Sequence, residues 1–521
     1  MSKTFDFENP ALGYNGDRAT AQQIVMLATP TCYQNRYLSA RRLMFKLLVT
    51  FVGLSLALLI PSPAVAADRP NVILLLADDL GWTGLGCFGS DFYETPNLDS
   101  LADRGVKFTN AYAACTVCSP TRASIMTGKY PARLHLTDFI AGQNRPFAKL
   151  QIPQWTKRLD GEQRTIAEVL KGSGYRTGHV GKWHLSGIGK QASGTKPTDQ
   201  GFDVSYERPP GAKGYLLKTP SDGESKSNYL TDYLTDKACE FIDQSKSDPF
   251  FLYFAYHVPH TPIQGRSDLV DYFTSKVDPD AIHQNQTYAA MVASLDQSVG
   301  RIVAQLEKRH LTDNTVILFI SDNGGLTQRN GKHDGFTENL PLRRGKGSAY
   351  EGGVRVPAIA YWPGVTPAGS VCDEPIITMD LFPTIQQLAG IAVSQTQPND
   401  GLSLVPLLHD PHHRFDRDLF WHYPHYHAGG DSPYSAIRSG NYRLIEFHED
   451  ERVELYDLAV DIGEQNDLSE SLPTKTRELK EKLHKWRESV NAQMPTANPN
   501  FDPARQQKVG RQPKSKRPQS S

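Results

Sequence analysis

Residues 71–79, NVILLLADD, form an apolar run that ends in two acidic residues. A run of Val, Ile and Leu without alternating polar residues is typical of a strand that helices cover on both faces. Three further runs have the same form and also end in polar side chains: residues 174–184 (GYRTGHVGKWH), 249–260 (PFFLYFAYHVPH) and 315–325 (TVILFISDNGG). These four segments are therefore predicted to be buried strands.

Helical patterns lie between these strands, as in residues 165–174 (TIAEVLKGSG) and 288–309 (YAAMVASLDQSVGRIVAQLEKR). Apolar residues recur near the 3.6-residue helical spacing in the longer segment. Strands that alternate with helices indicate an α/β fold, and open α/β sheets bind ligands beyond the carboxyl ends of their strands. The polar ends of the four strands are therefore predicted to converge on one site.

The charge balance points away from two classes of partner. The 521 residues include 56 Lys and Arg against 57 Asp and Glu. A nearly neutral chain has no overall field that would attract nucleic acid or an anionic membrane surface. We therefore expect no nucleic-acid partner.

The N-terminal region resembles an export leader. From Met44 the sequence has a basic start at Lys46, an apolar stretch over residues 47–60 and the small-residue signal Ala64-Val65-Ala66. The apolar stretch is shorter than the roughly 20 residues of a membrane span, although an N-terminal anchor helix is the alternative. We predict that residues 1–66 are a leader whose true start is Met44. The mature protein is then exported, periplasmic or secreted, without a membrane span.

The pattern changes after residue 410. Short strand-like runs such as residues 418–424 (DLFWHYP) and 442–450 (YRLIEFHED) precede a helical stripe formed by Leu479, Leu483, Trp486 and Val490. We predict a main α/β domain over residues 67–410, which would hold the site at the strand ends, and a smaller C-terminal α+β subdomain, an antiparallel sheet plus a helix, over residues 411–494. Residues 495–521 form a basic tail with the composition of a disordered segment, with polyanion binding as the alternative.

Two acidic or amide pairs at strand ends suit a hard cation. Asp78-Asp79 and Asp322-Asn323 offer the oxygen ligands that Ca²⁺ or Mg²⁺ prefers, and the alternative for each pair alone is a helix-capping turn. Cationic or basic side chains would surround such a metal and form a pocket for a tetrahedral oxyanion, phosphate or sulfate. These candidates are Arg122, Lys182, His184, His260 and Lys346. For any single one of them, a surface ion pair is the competing interpretation.

The number of cysteines in the predicted mature chain is odd. Cys32 lies in the leader, and the predicted mature chain keeps Cys87, Cys115, Cys118, Cys239 and Cys372. An odd number leaves at least one cysteine unpaired in an oxidising compartment, and no pair of CxxC motifs with zinc spacing is present.

The stretch CSPTRASIMTG, residues 118–128, resembles the signature of the type I sulfatases, Cys-x-Pro-x-Arg followed by Thr-Gly. Further stretches share the resemblance: residues 77–82 (ADDLGW), 181–185 (GKWHL), 257–262 (HVPHTP), 321–325 (SDNGG) and 341–357 (PLRRGKGSAYEGGVRVP). The resemblance implies an alkaline phosphatase-like mixed sheet sandwiched by helices and a sulfuric ester hydrolase of the arylsulfatase type. It also implies that a formylglycine-generating maturation enzyme converts Cys118 to formylglycine (3-oxoalanine). Cys115 does not fit, because Val117 and Ser119 stand where the signature needs proline and arginine.

The resemblance further assigns roles within the site. One Ca²⁺ would be held by Asp78, Asp79, Asp322 and Asn323 with an oxygen of the modified Cys118. Arg122 would orient the hydrated aldehyde, and Lys182, His260 and Lys346 would bind the sulfate oxygens. His184 is the candidate base, and His260, with Lys346, the candidate acid for the leaving oxygen. The pairing of the remaining Cys87, Cys115, Cys239 and Cys372 stays open.

Two alternatives to a sulfatase are a phosphate or phosphonate ester hydrolase of the same superfamily and a catalytically inactive glycan-binding relative. The export leader favours a sulfated polysaccharide as substrate over a small aryl sulfate. Residues 420–430, FWHYPHYHAGG, carry His422, His425 and His427 among aromatic residues. Three interpretations of this segment stay open. It is a zinc site, a packed turn, or the border of the catalytic mouth, where its side chains would contact a sugar.

Overall fold

The apolar run that begins at Asn71 forms a central strand, residues 71–77, of the largest sheet in the computed structural model. The structure describes residues 69–187, 195–217, 228–245, 248–328, 335–392 and 399–508, so the predicted leader lies outside the described residues. Within this part of the chain the strands are β1 Asn71–Ala77, β2 Val106–Phe108, β3 Ala111–Tyr112, β4 Leu150–Gln151, β5 Arg176–Gly181, β6 Val204–Tyr206, β7 Phe250–Ala255, β8 Thr315–Ser321, β9 Ala358–Tyr361, β10 Ser370–Cys372, β11 Ile376–Ile377, β12 Asp418–Tyr423, β13 Tyr434–Ser439, β14 Tyr442–Phe447, β15 Val453–Asp457 and β16 Thr496–Ala497.

The main sheet has eight strands among the described residues, in the order β10-β2-β9-β8-β1-β7-β5-β6. The four strands that the sequence pattern predicts, β8, β1, β7 and β5, are consecutive neighbours and all run parallel. β9 runs antiparallel to both of its neighbours, which makes the sheet mixed. The α/β class and the mixed sheet are thereby confirmed.

Helices cover both faces of this sheet. Within the described residues the helices of the chain are α1 Pro96–Arg104, α2 Cys118–Thr127, α3 Pro131–Leu134, α4 Ile166–Gly172, α5 Leu230–Gln244, α6 Ser267–Thr274, α7 Gln286–Lys308, α8 Glu351–Val354, α9 Leu381–Leu388, α10 Val405–His409 and α11 Pro473–Ser489. Alternate residues of β1 face opposite cores: Ile73 and Leu75 pack with residues of α1, α5 and α7, whereas Leu74 packs with residues of α2, α4 and α9. The strand is buried on both sides, which is why its sequence lacks polar alternation.

The C-terminal part is a second layer built on the first. β12–β15 form an antiparallel four-stranded meander. Leu479 and Leu483 of α11 are buried in a third core that this meander shares with Tyr112 and Val117. Trp421 of the meander donates its indole N–H to the backbone oxygen of Ala113 at 2.9 Å. A smaller α+β part with an antiparallel sheet and a helix is thus present as expected, while the domain boundaries at residues 66, 410 and 494 stay predictions.

The start of the predicted tail is structured as far as the structure describes it. Thr496–Ala497 pair antiparallel with Leu150–Gln151, and the Asn498 side chain donates to the backbone oxygens of Pro146 and Ala148. Composition alone indicated disorder here because it does not register pairing with a distant strand. Residues 509–521 lie outside the described residues. No helix in the described ranges is both long and apolar enough to cross a bilayer.

Candidate active site

A cavity of about 730 Å³ opens at the carboxyl ends of β1, β5 and β7. The strand register explains why polar residues meet there. Leu76 of β1 lies opposite Ala255 of β7, which lies opposite Gly181 of β5, and Ala77 lies opposite Ser321 of β8. Each strand therefore ends at the same level, and the residues that follow it point to a shared edge.

Three carboxylates and one amide follow β1 and β8. The Asp79 backbone N–H donates to Oδ1 of Asp322 at 3.2 Å, and Nδ2 of Asn323 donates to Oδ1 of Asp79 at 2.7 Å. Asp78 and Asp79 are both buried, as are Asp322 and Asn323. The structure thus brings together the four residues that the sequence proposes as metal ligands.

Cations reach these carboxylates from three other segments. Arg122 of α2 donates from Nη2 to Oδ2 of Asp322 at 2.7 Å. Lys182, just after β5, donates to Oδ2 of Asp78 at 2.6 Å, and Lys346 donates to Oδ1 of Asp79 at 2.5 Å. Burying a charge is costly unless an opposite charge compensates it. The pairing of each carboxylate with a cation therefore allows the cluster to be buried inside the protein.

The pKa shifts of the acids follow from this pairing. Burial alone would raise the pKa of Asp78, but Lys182, together with His260 and Arg122, holds it well below its usual range. Burial likewise opposes ionisation of Asp79, and Lys346 keeps its pKa lowered. The pKa of Asp322 is raised to about 6, by burial and by the neighbouring Asp78 carboxylate.

Cys118 is the first residue of α2 and lies on the cavity wall with 2% of its surface exposed. Its Sγ lies within 4.8 Å of carboxylate oxygens of Asp78 and Asp322. Burial raises the pKa of the Cys118 thiol, so the sulfur is protonated at neutral pH. Cys115 is also buried, but it packs in the third core with the C-terminal meander. The structure therefore places Cys118, and not Cys115, beside the acidic cluster.

His184 has a defined tautomer. Nε2 lies 2.6 Å from the backbone oxygen of Ile140, and because that oxygen can only accept, Nε2 carries the proton. The unprotonated Nδ1 then faces Sγ of Cys118 at 3.4 Å. Burial, and after it the Lys182 charge, lowers the pKa of His184 to about 3, which keeps the ring neutral.

His260 approaches from the turn after β7. Its Nδ1 lies 2.6 Å from the backbone oxygen of Thr261 and therefore carries a proton, while Nε2 lies 3.7 Å from Oδ2 of Asp79. Burial lowers the pKa of His260, and the Asp79 carboxylate opposes that effect. Seven of the predicted site residues line the cavity: Asp78, Asp79, Cys118, Lys182, His184, His260 and Lys346. Arg122, Asp322 and Asn323 do not line it but contact Lys182 or Asp79.

Some cavity residues escape the sequence analysis. Tyr215 lines the cavity and donates its hydroxyl to the backbone oxygens of His257 and His260, at 2.5 and 2.7 Å, which fixes the turn after β7. His257, Phe139 and Arg208 also line it. His257 ends a quoted strand run and could have been named on that ground, whereas Phe139, Arg208 and Tyr215 come from irregular segments without any pattern.

The histidines of residues 420–430 separate in space. His422 lies 2.8 Å from Oγ of Ser435 and 2.9 Å from the backbone oxygen of Gln493, and His425 lies 2.8 Å from Oγ1 of Thr137. Only His427 among the three lines the cavity. A shared zinc site is therefore wrong for this segment, because each imidazole has its own surroundings.

The acidic cluster has oxygens that are free to bind a cation. Oδ1 of Asp78 and Oδ1 of Asn323 are buried and have no hydrogen-bond partner among the described residues. Such orphaned acceptors are costly to bury, and a hard divalent cation is the partner that carboxylate and amide oxygens prefer. The donor set therefore fits Ca²⁺ or Mg²⁺. Around it, Arg122, Lys182 and Lys346 supply positive charge for a tetrahedral anion.

The five cysteines within the described residues are all unpaired: Cys87, Cys115, Cys118, Cys239 and Cys372. No disulfide thus forms among Cys87, Cys115, Cys239 and Cys372 in this structure.

Comparisons with known proteins agree with this geometry. The family model "Sulfatase" matches residues 70–391, and the model "N-sulphoglucosamine sulphohydrolase, C-terminal" matches residues 345–493. The chain is similar to a sulfatase of Formosa agariphila, with 32% identity over 85% of this chain and 94% of that protein. It is also 32% identical to arylsulfatase A of Homo sapiens, over 85% of this chain and 92% of the relative. The solved structure of Ps i-CgsB in complex with k-i-k-neocarrahexaose superposes with a TM-score of 0.68 and 30% identity, over 83% of this chain and 95% of that one.

Proposed function

The chain belongs to the sulfatase family and is a sulfuric ester hydrolase, and from this premise we propose that it removes sulfate from sulfated carbohydrates by means of a formylglycine made from Cys118 beside a bound Ca²⁺. One observation carries the proposal. Sγ of Cys118 lies at the meeting point of the acidic cluster and the unprotonated Nδ1 of His184, inside a cavity lined by cations.

The metal would be held by side-chain oxygens of Asp78, Asp79, Asp322 and Asn323, with an oxygen of modified Cys118. Two of the available oxygens are the orphaned acceptors of Asp78 and Asn323. A bound Ca²⁺ supplies positive charge that favours ionisation of a nearby hydroxyl and offsets charge on sulfate.

The formylglycine would form from Cys118 through the maturation enzyme. Its hydrate would supply the nucleophilic hydroxyl for sulfur, with the sugar alcohol as the leaving group, and a second hydroxyl whose proton loss would expel sulfate and restore the aldehyde.

Side chains of this protein bind the sulfate group and orient the hydrated aldehyde. Arg122 is fixed by Asp322 through Nε and Nη2 and by the backbone oxygen of Lys182 through Nη1, so it presents a rigid guanidinium beside Cys118. Lys182, Lys346 and His260 line the cavity and bind the sulfate oxygens. Positive groups held in place before substrate arrives stabilise charge without reorganising during the reaction.

Two histidines move protons. Nδ1 of His184 has a lone pair directed at the position of Cys118 Sγ, so it accepts a proton from the group that replaces the thiol. His260 donates a hydrogen bond from Nδ1–H to the backbone oxygen of Thr261, which leaves Nε2 to exchange a proton with the substrate. Burial lowers the pKa of His260, and the Asp79 carboxylate opposes that effect, so a proton on Nε2 is readily given up. Protonated Nε2, with Lys346 nearby, delivers a proton to the leaving alcohol oxygen.

The substrate class is inferred from two lines of support. The related Ps i-CgsB was solved with k-i-k-neocarrahexaose, and the leader of residues 1–66 indicates export to a periplasmic or extracellular environment. A cavity of about 730 Å³ lies within the range of sites for drug-sized ligands and accommodates a sugar unit.

Co-expression with a formylglycine-generating enzyme tests the proposal. The tryptic peptide that contains Cys118 should show the mass of the aldehyde, and the purified protein should hydrolyse sulfate esters far faster than phosphate or phosphonate esters. Cys118→Ala should fold but lose turnover, and Cys115→Ala serves as the matched control. Full activity in Cys118→Ala, or a preference for phosphate esters, contradicts the proposal.

A further inference from the structure

The loop between β12 and β13 of the C-terminal meander carries one side chain into the cavity. That side chain is His427, with 7% of its surface exposed, and it lines the same cavity as Cys118 and Lys346. Every other polar side chain assigned above belongs to the main sheet or its helices and loops. His427 is therefore the contribution of the C-terminal part to this site.

The tautomer of His427 is set by its own loop. The backbone N–H of Gly429 donates to Nδ1 at 3.2 Å, which occupies the Nδ1 lone pair and leaves the proton on Nε2. Burial, followed by the Lys346 charge, lowers the pKa of His427 to about 3, so the imidazole is neutral at neutral pH. Nε2 has no hydrogen-bond partner in the part of the chain that the structure describes. It is a donor available to a ligand.

The ring is held firmly in position. The backbone oxygen of His427 accepts a hydrogen bond from Nη2 of Arg145 at 3.0 Å. The ring packs directly on Gly347, where a Cβ would lie 2.0 Å from Nδ1, and Gly347 has φ +83°. The Phe139 ring meets it edge-on, with centroids 6.1 Å apart. A donor fixed in this way loses little conformational entropy when a ligand binds.

The charge of His427 separates its role from that of its neighbours. Lys182, Lys346 and Arg122 are cations suited to the sulfate, whereas His427 offers one neutral N–H beside an aromatic edge. Neutral donors next to apolar surface suit the uncharged part of a saccharide. We propose that His427 is a specificity-determining residue that donates Nε2–H to a hydroxyl or ring oxygen of the sugar bearing the scissile sulfate. This inference rests on the proposed saccharide sulfatase function.

The experiment compares two substrates across three variants of the mature enzyme. His427→Phe keeps the ring and removes the donor, and His427→Gln places an amide N–H near the position of Nε2. His425→Gln is the matched control, since His425 belongs to the same segment, is buried and does not line the cavity. The value of kcat/KM is measured on 4-nitrophenyl sulfate and on a panel of mono-sulfated galactose and N-acetylgalactosamine saccharides.

The expected signature is a difference between substrates. His427→Phe should lose about tenfold more kcat/KM on the saccharide than on 4-nitrophenyl sulfate, the size of one hydrogen bond to substrate. His427→Gln should regain most of that difference, and His425→Gln should show equal losses on both substrates. A His427→Phe variant with equal losses on both, or a Gln variant no better than Phe, overturns the inference and leaves the sulfatase proposal standing. A wild-type enzyme that hydrolyses 4-nitrophenyl sulfate but no saccharide rejects the saccharide assignment and this inference together.

Discussion

Lys182 and Lys346 are each bound to a carboxylate that is also a candidate metal ligand, through contacts of 2.6 Å to Asp78 and 2.5 Å to Asp79. A carboxylate that also binds a divalent cation attracts an ammonium group less strongly, because the metal neutralises part of its charge. Metal binding should therefore loosen both lysines from their acids and make them available to an anion. The residue-level contacts thus couple the metal to sulfate affinity.

Metal removal tests this coupling. Treatment with EGTA should abolish hydrolysis of 4-nitrophenyl sulfate and weaken binding of inorganic sulfate, measured by titration calorimetry, by roughly 5–150-fold. Added Ca²⁺ should restore both properties. In Asp78→Asn, the sulfate affinity should no longer respond to Ca²⁺. An affinity for sulfate that is the same with and without metal in the wild-type protein contradicts the coupling.

The two site histidines should differ in their dependence on the leaving group. Sugar alcohols leave poorly and need a proton, whereas nitrophenolate leaves without much help, and general acid catalysis is typically worth about 10²–10⁴-fold. His260→Ala should therefore reduce kcat for a saccharide sulfate far more than kcat for 4-nitrophenyl sulfate. His184→Ala should slow both substrates alike, because it acts on the group at Cys118. Equal losses in His260→Ala would leave sulfate binding as its role.

At the scale of elements, the signature segment forms the helix α2 and its stop. The helix begins at Cys118 and ends at Thr127, and Gly128 follows with φ +69° and donates its backbone N–H to the backbone oxygen of Ser124. All ten residues of the helix are buried, so its position depends on close packing along its whole length. The Thr-Gly that closes the signature is thus a helix stop, where the left-handed conformation favours glycine.

Gly128→Ala should destabilise the protein for two separable reasons. The left-handed conformation costs roughly 1–2 kcal/mol for a residue with a Cβ. A Cβ would also lie 2.9 Å from Cδ1 of Phe382 and 2.6 Å from Oδ1 of Asn399. Urea unfolding measures the total loss of unfolding free energy from both effects.

Gly390→Ala is the matched control for this prediction. Gly390 follows α9 with φ +68°, and apart from its two chain neighbours no described residue has a heavy atom within 4 Å of the position that a Cβ would take there. The Gly390→Ala variant should lose only the free energy that the left-handed backbone conformation costs. Gly128→Ala should therefore lose more unfolding free energy than Gly390→Ala. Equal losses would mean that the Phe382 contact relaxes freely.

The sequence predicts some of these elements better than others. The run at residues 71–79 is predictable as a strand because burial on both faces leaves no polar residue between Asn71 and Asp78, and the parallel register then aligns Asp78 with the residues after β8. The antiparallel direction of β9 is not predictable, since four residues, Ala358–Tyr361, carry no sign of orientation. Tyr215 reaches the cavity through a loop, where long-range packing and not local pattern decides the side-chain position. The segment 420–430 could be named as a possible border of the site, but its sequence does not tell which of its three histidines lines the cavity.

At the scale of the whole molecule, the main sheet and the C-terminal meander are joined by buried polar contacts. Tyr423 of β12 donates its hydroxyl to Oδ1 of Asp138 at 2.8 Å, and Asp138 also accepts from the backbone N–H of Phe139 at 2.9 Å. Burial raises the pKa of Asp138 to about 7 from a value of 3.8 for the free side chain. This junction therefore favours the protonated acid.

The raised pKa makes this junction sensitive to pH. A folded-state pKa above the unfolded value stabilises the fold fully below about pH 4, and that contribution is lost as the pH rises through about 7. The loss is at most about 4 kcal/mol, because the two pKa values differ by roughly three. Asp138→Asn removes the titration, so the unfolding free energy of wild type relative to this variant should fall between pH 4 and 7. A difference that stays constant over this range contradicts the assignment.

The strand order also determines how late in synthesis the site can be completed. β1 pairs with β8, and Asn71 and Thr315 are 244 residues apart in the chain. At roughly 5–20 residues per second, a ribosome needs about 12–50 s to make the segment between them. Until this segment and β8 have been synthesised, Asp322 is not available to bind Arg122. The residues that bury α2 are also incomplete. The proposed maturation of Cys118 therefore has an interval of tens of seconds in which its thiol is within reach of another enzyme, and the arrival of β8 ends it.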